Sequence, residues 1–171
     1  MTQNNFGFVQ SEWMPPETLP DLSDAKVIGF DLETYDPKLK TTGPGWTSST
    51  GHIIGIAVAV EGWKGYYPIR HENGFNWDRK RVLSWMKDLM KTDAVKVAHN
   101  AVYDLGWLHT EGIKVNGRII DTMIMAPLLN ENKFSYALNT VGKDMLNEYK
   151  NEGKLKEAAI EFGVDPKNEM Y

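Results

Sequence analysis

The stretch Lys26-Val27-Ile28-Gly29-Phe30-Asp31-Leu32-Glu33-Thr34 decides how the rest of the chain is read, because it sets two carboxylates inside an apolar run with the alternation of a strand. Successive strand side chains point to opposite faces, so Asp31 and Glu33 share one side while Ile28, Phe30 and Leu32 take the other. Two residues of strand rise separate the carboxylates by about 6.5 Å, and at an effective dielectric near 20 their repulsion is about 2.5 kcal/mol when both are ionised. A divalent cation removes that cost. Hard oxygen ligands suit magnesium or manganese, and a site with few protein carboxylates leaves coordination positions for water and substrate phosphate. An Asp-x-Glu is also what a frayed strand end facing solvent carries, so the surrounding sequence has to decide.

Before this strand, residues 1–25 with Pro15-Pro16 and Pro20 read as an extended leader anchored by Trp13, and residues 26–171 as one domain. After it comes a Gly/Pro/Ser/Thr loop from Asp36 to Gly51, too long for a tight hairpin. His52 to Val60 is a second strand, so continuously apolar that both of its faces are expected to be covered. The short turn Glu61-Gly62 leads into a third strand, Lys64 to Ile69, paired antiparallel with the second. Val82, Trp85, Met86, Leu89 and Met90 have the spacing of one buried helix face, with Asn76 as its expected N-cap.

Val95 to Ala98 is a short strand. Asn100 then caps a helix that buries Ala101, Val102, Leu105 and Leu108, carries Asp104 and ends near Gly112. Val115 to Ile120 is the last strand, and Asp121 is the expected N-cap of a helix running through Leu129. Two further helices are expected over Ser135 to Leu146 and Lys154 to Phe162. Early consecutive strands followed by alternating helix and strand imply an α/β fold with a mixed five-stranded sheet, its leading strands antiparallel, flanked by helices. No Gly-rich turn follows the first strand, which argues against a nucleotide cofactor there.

A chain of 171 residues with 42% hydrophobic and 11% aromatic content is long enough for a sizeable core. It has no cysteine, which removes disulfides, thiolate metal sites and cysteine nucleophiles. No apolar run approaches the roughly 18 residues that span a membrane, so a cytosolic protein without a membrane partner is expected. The net charge of −4 and pI near 5.6 argue against gripping nucleic acid chiefly by nonspecific electrostatics. Bound metal ions can nevertheless supply local positive charge that the total conceals.

A second cluster, His99-Asn100-Ala101-Val102-Tyr103-Asp104-Leu105, falls at a strand-to-helix junction. Together with Phe30-Asp31-Leu32-Glu33-Thr34 it resembles the first two motifs of the DEDD 3′-5′ exonucleases. From about Lys26 onward the chain is similar to the proofreading domain of A-family, bacteriophage-like DNA polymerases; Asp121-Thr122-Met123 and Phe134-Ser135-Tyr136-Ala137-Leu138 match that group as well. The resemblance implies a ribonuclease-H-like fold and hydrolysis of nucleotides from DNA 3′ ends as the proofreading part of a polymerase. It implies a two-metal site for Mg2+ or Mn2+ in which Asp31 bridges both ions, Glu33 binds one, and Asp104 holds the second directly or through water. Thr34 would touch the terminal nucleotide, Asn100 the substrate or the metal shell, and Leu32 the substrate. The implied partners are a single-stranded DNA 3′ end and a DNA polymerase chain, in the host cytoplasm if the protein is viral.

The resemblance has a gap. The family carries a third motif, Tyr-x-x-x-Asp or His-x-x-x-Asp on a late helix, supplying a fourth carboxylate and the residue that orients the attacking water. No such pattern follows Asp104: four residues after His109, Tyr136 and Tyr149 stand Ile113, Thr140 and Gly153. The expectation is therefore a chain that stops before the motif, binds a single-stranded 3′ end and hydrolyses it slowly or not at all. The alternatives are a non-catalytic nucleic-acid-binding or polymerase-docking module and an RNA-directed member of the same superfamily. His99 is expected near the site without being a ligand, His52, His71 and His109 as structural or exposed residues, and Arg79-Lys80-Arg81 as a solvated helix face.

Overall fold

The computed structural model describes residues 14–148 except residue 73. The Trp13 anchor and the helix expected over 154–162 lie outside the described residues. The strands are β1 (Val27–Tyr35), β2 (His52–Val60), β3 (Trp63–Pro68), β4 (Val95–Ala98) and β5 (Ile119–Asp121). They form one five-stranded sheet in the order β3-β2-β1-β4-β5. The β1–β2 and β2–β3 pairs are antiparallel, whereas β1–β4 and β4–β5 are parallel, which is the mixed sheet expected. The helices are α1 (Leu39–Thr42), α2 (Arg79–Lys91), α3 (Ala101–Thr110), α4 (Thr122–Leu129) and α5 (Leu138–Leu146). None of the described helices is long and apolar enough to cross a membrane.

The alternation in β1 does what its pattern requires. Ile28, Phe30 and Leu32 are buried with Ile56, Val58, Val82, Met86, Trp107 and Leu108 in the core, while Asp31 and Glu33 are exposed on the other face. The far face of β2 departs from expectation: it is formed by Gly55, Ala57 and Ala59, and Ala59 is exposed. An apolar run whose alternate members are this small carries little area to bury, so continuity alone did not indicate two covered faces. A register shift at Glu33/Thr34 leaves Ile54 as the extra residue of β2, and its carbonyl accepts from both Ile69 and Arg70 N–H at 2.9 and 3.1 Å.

Several local expectations are corrected. The N-cap of α2 is Asp78, accepting from Arg81 N–H at 2.8 Å, because Asn76 is committed to His71, accepting from its N–H and donating to its carbonyl. On α3 the inward stripe is Ala101, Asp104, Trp107 and Leu108, while Val102 is 61% exposed. Ala101 and Leu108 are buried as expected and Leu105 packs against the core; hydrophobic periodicity, which assigns a carboxylate outward, erred in taking Val102 inward. Strand β5 starts at Ile119 because Gly117 takes a left-handed turn (φ +78) where a Cβ would meet Ala94 O at 2.8 Å. Arg79 is ion-paired with Glu111 rather than merely solvated, and Arg81 lies over the Trp77 ring at 5.8 Å. The described part of the leader is tied down by Tyr67 OH donating to Thr18 O at 2.7 Å and Trp85 Nε1 to Pro20 O at 2.8 Å.

Strand β5 delivers Asp121 to a position where one carboxylate serves two helix starts. It accepts from Met123 N–H in α4 and from Asn100 and Ala101 N–H at the start of α3, at 2.9, 3.0 and 2.8 Å. Burial pushes its carboxyl up, but the N–H groups of Ala101, Asn100, Met123 and Ile124 outweigh it and hold the group below its ordinary range. A depressed carboxyl contributes stability that is present above the unfolded-state value and is lost as pH falls through the folded one. Asp121→Ala is expected to cost about 2–4 kcal/mol at pH 7, from lost caps and charge-assisted bonds. Urea unfolding of the two proteins at pH 7 and at pH 3 measures this, with the difference shrinking at the lower pH.

Candidate active site

Strand β1 outruns its neighbour β4. Pairing with β4 joins only Val27–Gly29 to Val95–Val97, whereas pairing with β2 continues to Tyr35. On the β4 side, beyond the last pair, Leu32 N–H donates to Asp104 Oδ1 at 3.0 Å. Asp104 thus turns toward the end of the sheet that carries Asp31, held by the peptide immediately after that residue. It is only 3% exposed. Burial first, and the neighbouring Asp31 charge second, push its carboxyl up to about 7 despite the Leu32 bond.

Among the described residues no group of three or more His, Cys, Asp or Glu side chains stands ready to hold a metal ion. What the geometry does couple is the pair Asp31 and Asp104, with Glu33 next along the same face of β1. Magnesium is commonly held by one or two protein carboxylates, with waters and phosphate oxygens completing its shell. A buried carboxyl whose ionisation is opposed by an adjacent carboxylate is an environment that a hard divalent cation relieves. Asp31 and Asp104 are the described carboxylates whose chemistry suits such an ion.

The end of β1 is fastened to α3 by a second set of bonds. Tyr103 OH donates to Asp36 Oδ2 at 2.9 Å, so Thr34 Oγ1, at 2.9 Å, donates to Tyr103. Gly45 N–H completes the link, donating to the same Asp36 oxygen at 2.9 Å. Burial pushes the Tyr103 hydroxyl up and keeps it a donor. The long loop docks on α3 through Trp46, whose ring lies where a Cβ on Gly106 would be, 2.3 Å from the nearest ring atom.

Thr34 is therefore engaged with Tyr103 rather than free on the surface. Asn100 stands in the left-handed region (φ 64), its backbone bonded to Asp121 and its side chain exposed without a capping bond. Leu32 is corrected: its side chain is 6% exposed in the core, on the face opposite Asp31, and its contribution to the site is its backbone N–H. His99 lies beside the site, its Nδ1 2.9 Å from Thr122 Oγ1 and its Nε2 buried without a hydrogen-bond partner in the described structure. A cavity of about 850 Å³ runs along this face, lined by Gly29, Asp31, Ala57, Tyr66, His99 and Leu138 among others. Sequence reading passed over Tyr66 and Asp36 and gave Tyr103 no role beyond its place in the second motif, since only strand register and loop docking bring them to the carboxylates.

Comparison with known proteins agrees with this geometry. A family model described as 3′-5′ exonuclease matches residues 8–157. A DNA-directed DNA polymerase of Pseudomonas phage M6 is 36% identical over 173 residues, covering 97% of this chain and 26% of the relative. DNA polymerase DpoZ of Salmonella phage PMBT28 is 29% identical over 146 residues, covering 84% and 21%. The chain spans about a quarter of the length of these curated relatives. Among solved structures, Brucella melitensis NrnC with bound Mg2+ superposes with a TM-score of 0.55 at 13% identity, over 77% of this chain and 58% of that one. Escherichia coli RNase D, an exoribonuclease involved in structured RNA processing, gives 0.55 at 13%, over 78% and 31%. At such identities these two likenesses speak for the fold alone.

The raised carboxyl has a measurable consequence. Between the ordinary carboxylate value of 3.8 and about 7 the folded protein holds a proton at Asp104 that the unfolded chain releases. Stability therefore falls as pH rises through that window, by about 1.4 kcal/mol for each pH unit and a few kcal/mol in all. Asp104→Asn keeps an oxygen for Leu32 N–H and removes the charge, so its melting temperature should exceed that of the parent at pH 8 and match it near pH 4. Magnesium or manganese at pH 8 should narrow the gap by stabilising the parent alone. Thermal melts across pH, with and without metal, check both.

Proposed function

Since the chain belongs to the 3′-5′ exonuclease family of A-type DNA polymerases, we propose that it removes nucleotides from the 3′ end of a single DNA strand as the proofreading part of a phage polymerase acting in the host cytoplasm. The observation that carries this reading is the buried Asp104 carboxylate, turned onto the unpaired edge of β1 beside Asp31 and coupled to it electrostatically. Asp31, Glu33 and Asp104 would hold magnesium or manganese. When bound, such ions lower the pKa of the attacking water and offset charge on the phosphate and on the leaving 3′ oxygen.

The chain's own residues set the geometry around that chemistry. Leu32 N–H fixes one oxygen of Asp104 and so the direction in which the other faces. The Thr34, Tyr103, Asp36 and Gly45 bonds clamp the end of β1 to α3, which holds Asp31, Glu33 and Asp104 in one frame. Preorganised carboxylates of this kind lower the reorganisation needed at the moment of reaction. Gly29, Ala57 and Ala59 leave room for a nucleotide along the carboxylate face, and the roughly 850 Å³ cavity there is of the size that small ligands occupy. Asn100, exposed at the start of α3, would meet the strand. The proton on Asp104 must leave before a cation binds, so metal affinity should rise with pH through about 7.

The test is release of single nucleotides from an end-labelled single strand in manganese at pH 8. Asp31→Ala and Asp104→Asn should each lower the rate by about 100-fold or more, in line with loss of a group that places the metal and the water. Because no Tyr-x-x-x-Asp or His-x-x-x-Asp follows Asp104 in this sequence, the assay includes a version extended through the next downstream helix. Binding of the strand without metal-dependent cleavage by that version, and indifferent to either substitution, would overturn the exonuclease reading and favour a binding module.

A further inference from the structure

Strand register brings the aromatic side chain of Tyr66 onto the carboxylate face. Asp31 is opposite Ala57 across β1–β2, and Ala57 is opposite Tyr66 across β2–β3, so all three side chains stand on the same side of the sheet. The ring then leans along the strand toward residue 55. A Cβ built on Gly55 would fall 1.9 Å from Tyr66 Oη and 2.3 Å from Cζ, so the hydroxyl occupies the place of the missing side chain. Gly55 is the cross-strand partner of Glu33. Directly opposed Cβ positions in an antiparallel pair are about 4.5–5.5 Å apart, which puts the phenol within reach of the Glu33 carboxylate.

The hydroxyl is also held from behind. His71 Nε2 lies 2.5 Å from Tyr66 Oη, with the two rings edge to face at 5.9 Å. His71 in turn is clamped by Asn76, whose amide accepts from its N–H at 2.8 Å and donates to its carbonyl at 2.9 Å. A phenol has one hydrogen. Were it given to His71, the oxygen lone pairs would face two carboxylates; with Nε2 carrying a hydrogen toward Tyr66, the phenolic hydrogen can point at them. Burial, then the charges of Glu33 and Asp31, push the hydroxyl well above its ordinary range, consistent with a group that remains a donor.

We propose that Tyr66 is a positioning residue of the active site, donating a hydrogen bond to the Glu33 carboxylate while His71 Nε2–H donates to Tyr66, so that Glu33 is oriented toward the metal. The inference rests on the reading of Asp31, Glu33 and Asp104 as the metal-holding set. It also accounts for three features that no catalytic role otherwise explains: a glycine at position 55, the ring pair of Tyr66 and His71, and the two-way clamp from Asn76. Hydrogen bonds to metal-ligating carboxylates typically affect metal affinity by about 10–100-fold when removed.

Manganese titration calorimetry on the 171-residue chain at pH 8 tests it. Tyr66→Phe keeps the ring over Gly55 and should weaken manganese binding by about 10-fold or more, with a melting temperature close to that of the parent without metal. His71→Leu should weaken binding similarly, whereas His71→Gln, whose amide also offers an N–H, should restore most of it. Asp31→Ala is the control. If Asp31→Ala binds manganese like the parent, the metal-holding reading fails and this inference with it. If Asp31→Ala loses binding while Tyr66→Phe and His71→Leu stay within twofold of the parent, the assignment of Tyr66 alone is overturned. Should Tyr66→Phe fail to fold, the contrast between His71→Leu and His71→Gln decides, equal affinities overturning the proposal.

Discussion

The bond from Leu32 N–H to Asp104 is the constraint on which the site depends. It exists because β1 is longer than β4, leaving strand edge that no ladder satisfies. A buried backbone N–H without a partner costs about 1–3 kcal/mol, and a carboxylate brought in on α3 supplies the acceptor. The solution creates its own cost, since the same carboxylate is then shut away from water beside Asp31. Structure and chemistry are coupled through that single side chain: what completes the sheet edge also sets a buried carboxylate beside Asp31.

Around this bond the elements are joined by polar side chains more than by apolar ones. Asp121 unites the starts of α3 and α4 at the end of β5, and His99 and Thr122 meet across the same junction. Tyr103 and Asp36 draw the long loop onto α3, where Trp46 fits over Gly106. Networks of this kind hold side chains in one arrangement because each partner is already committed to another. The carboxylate face stays low at Gly29, Ala57 and Ala59, while the ring of Tyr66 covers Gly55.

The same arrangement bears on how the family relationship is read. The match to phage polymerases covers nearly all of this chain and about a quarter of theirs, so the relationship concerns a module. Structural likeness to NrnC and RNase D at 13% identity shows how little of the sequence the fold needs. In this chain that fold presents a strand with two carboxylates on one face and a helix that begins where the neighbouring strand ends. The second is a consequence of topology, since in open α/β sheets the carboxyl ends of strands are where helices start and ligands gather.

Much of this was legible in the chain itself. The alternation of Ile28, Phe30 and Leu32 against Asp31 and Glu33, the bounds of β2 and β4, the helix from Thr122 to Leu129 and the capping role of Asp121 are short-range properties, set by side-chain period and local hydrogen bonding. The inward turn of Asp104 was implied by the motif resemblance but not by periodicity, which counts a carboxylate as outward and takes no account of an unpaired N–H on a strand 72 residues away. Asn76 was misread as a cap for a like reason: its best partner was the backbone of His71. Tyr66 could be placed beside Glu33 only by the register of three strands, which no single strand encodes. The sequence by itself determined which residues form strands and helices and which carboxylates share a face, because those depend on neighbours a few residues away; which groups meet at the site was decided by the tertiary structure, because hydrogen-bond satisfaction and burial are settled between elements.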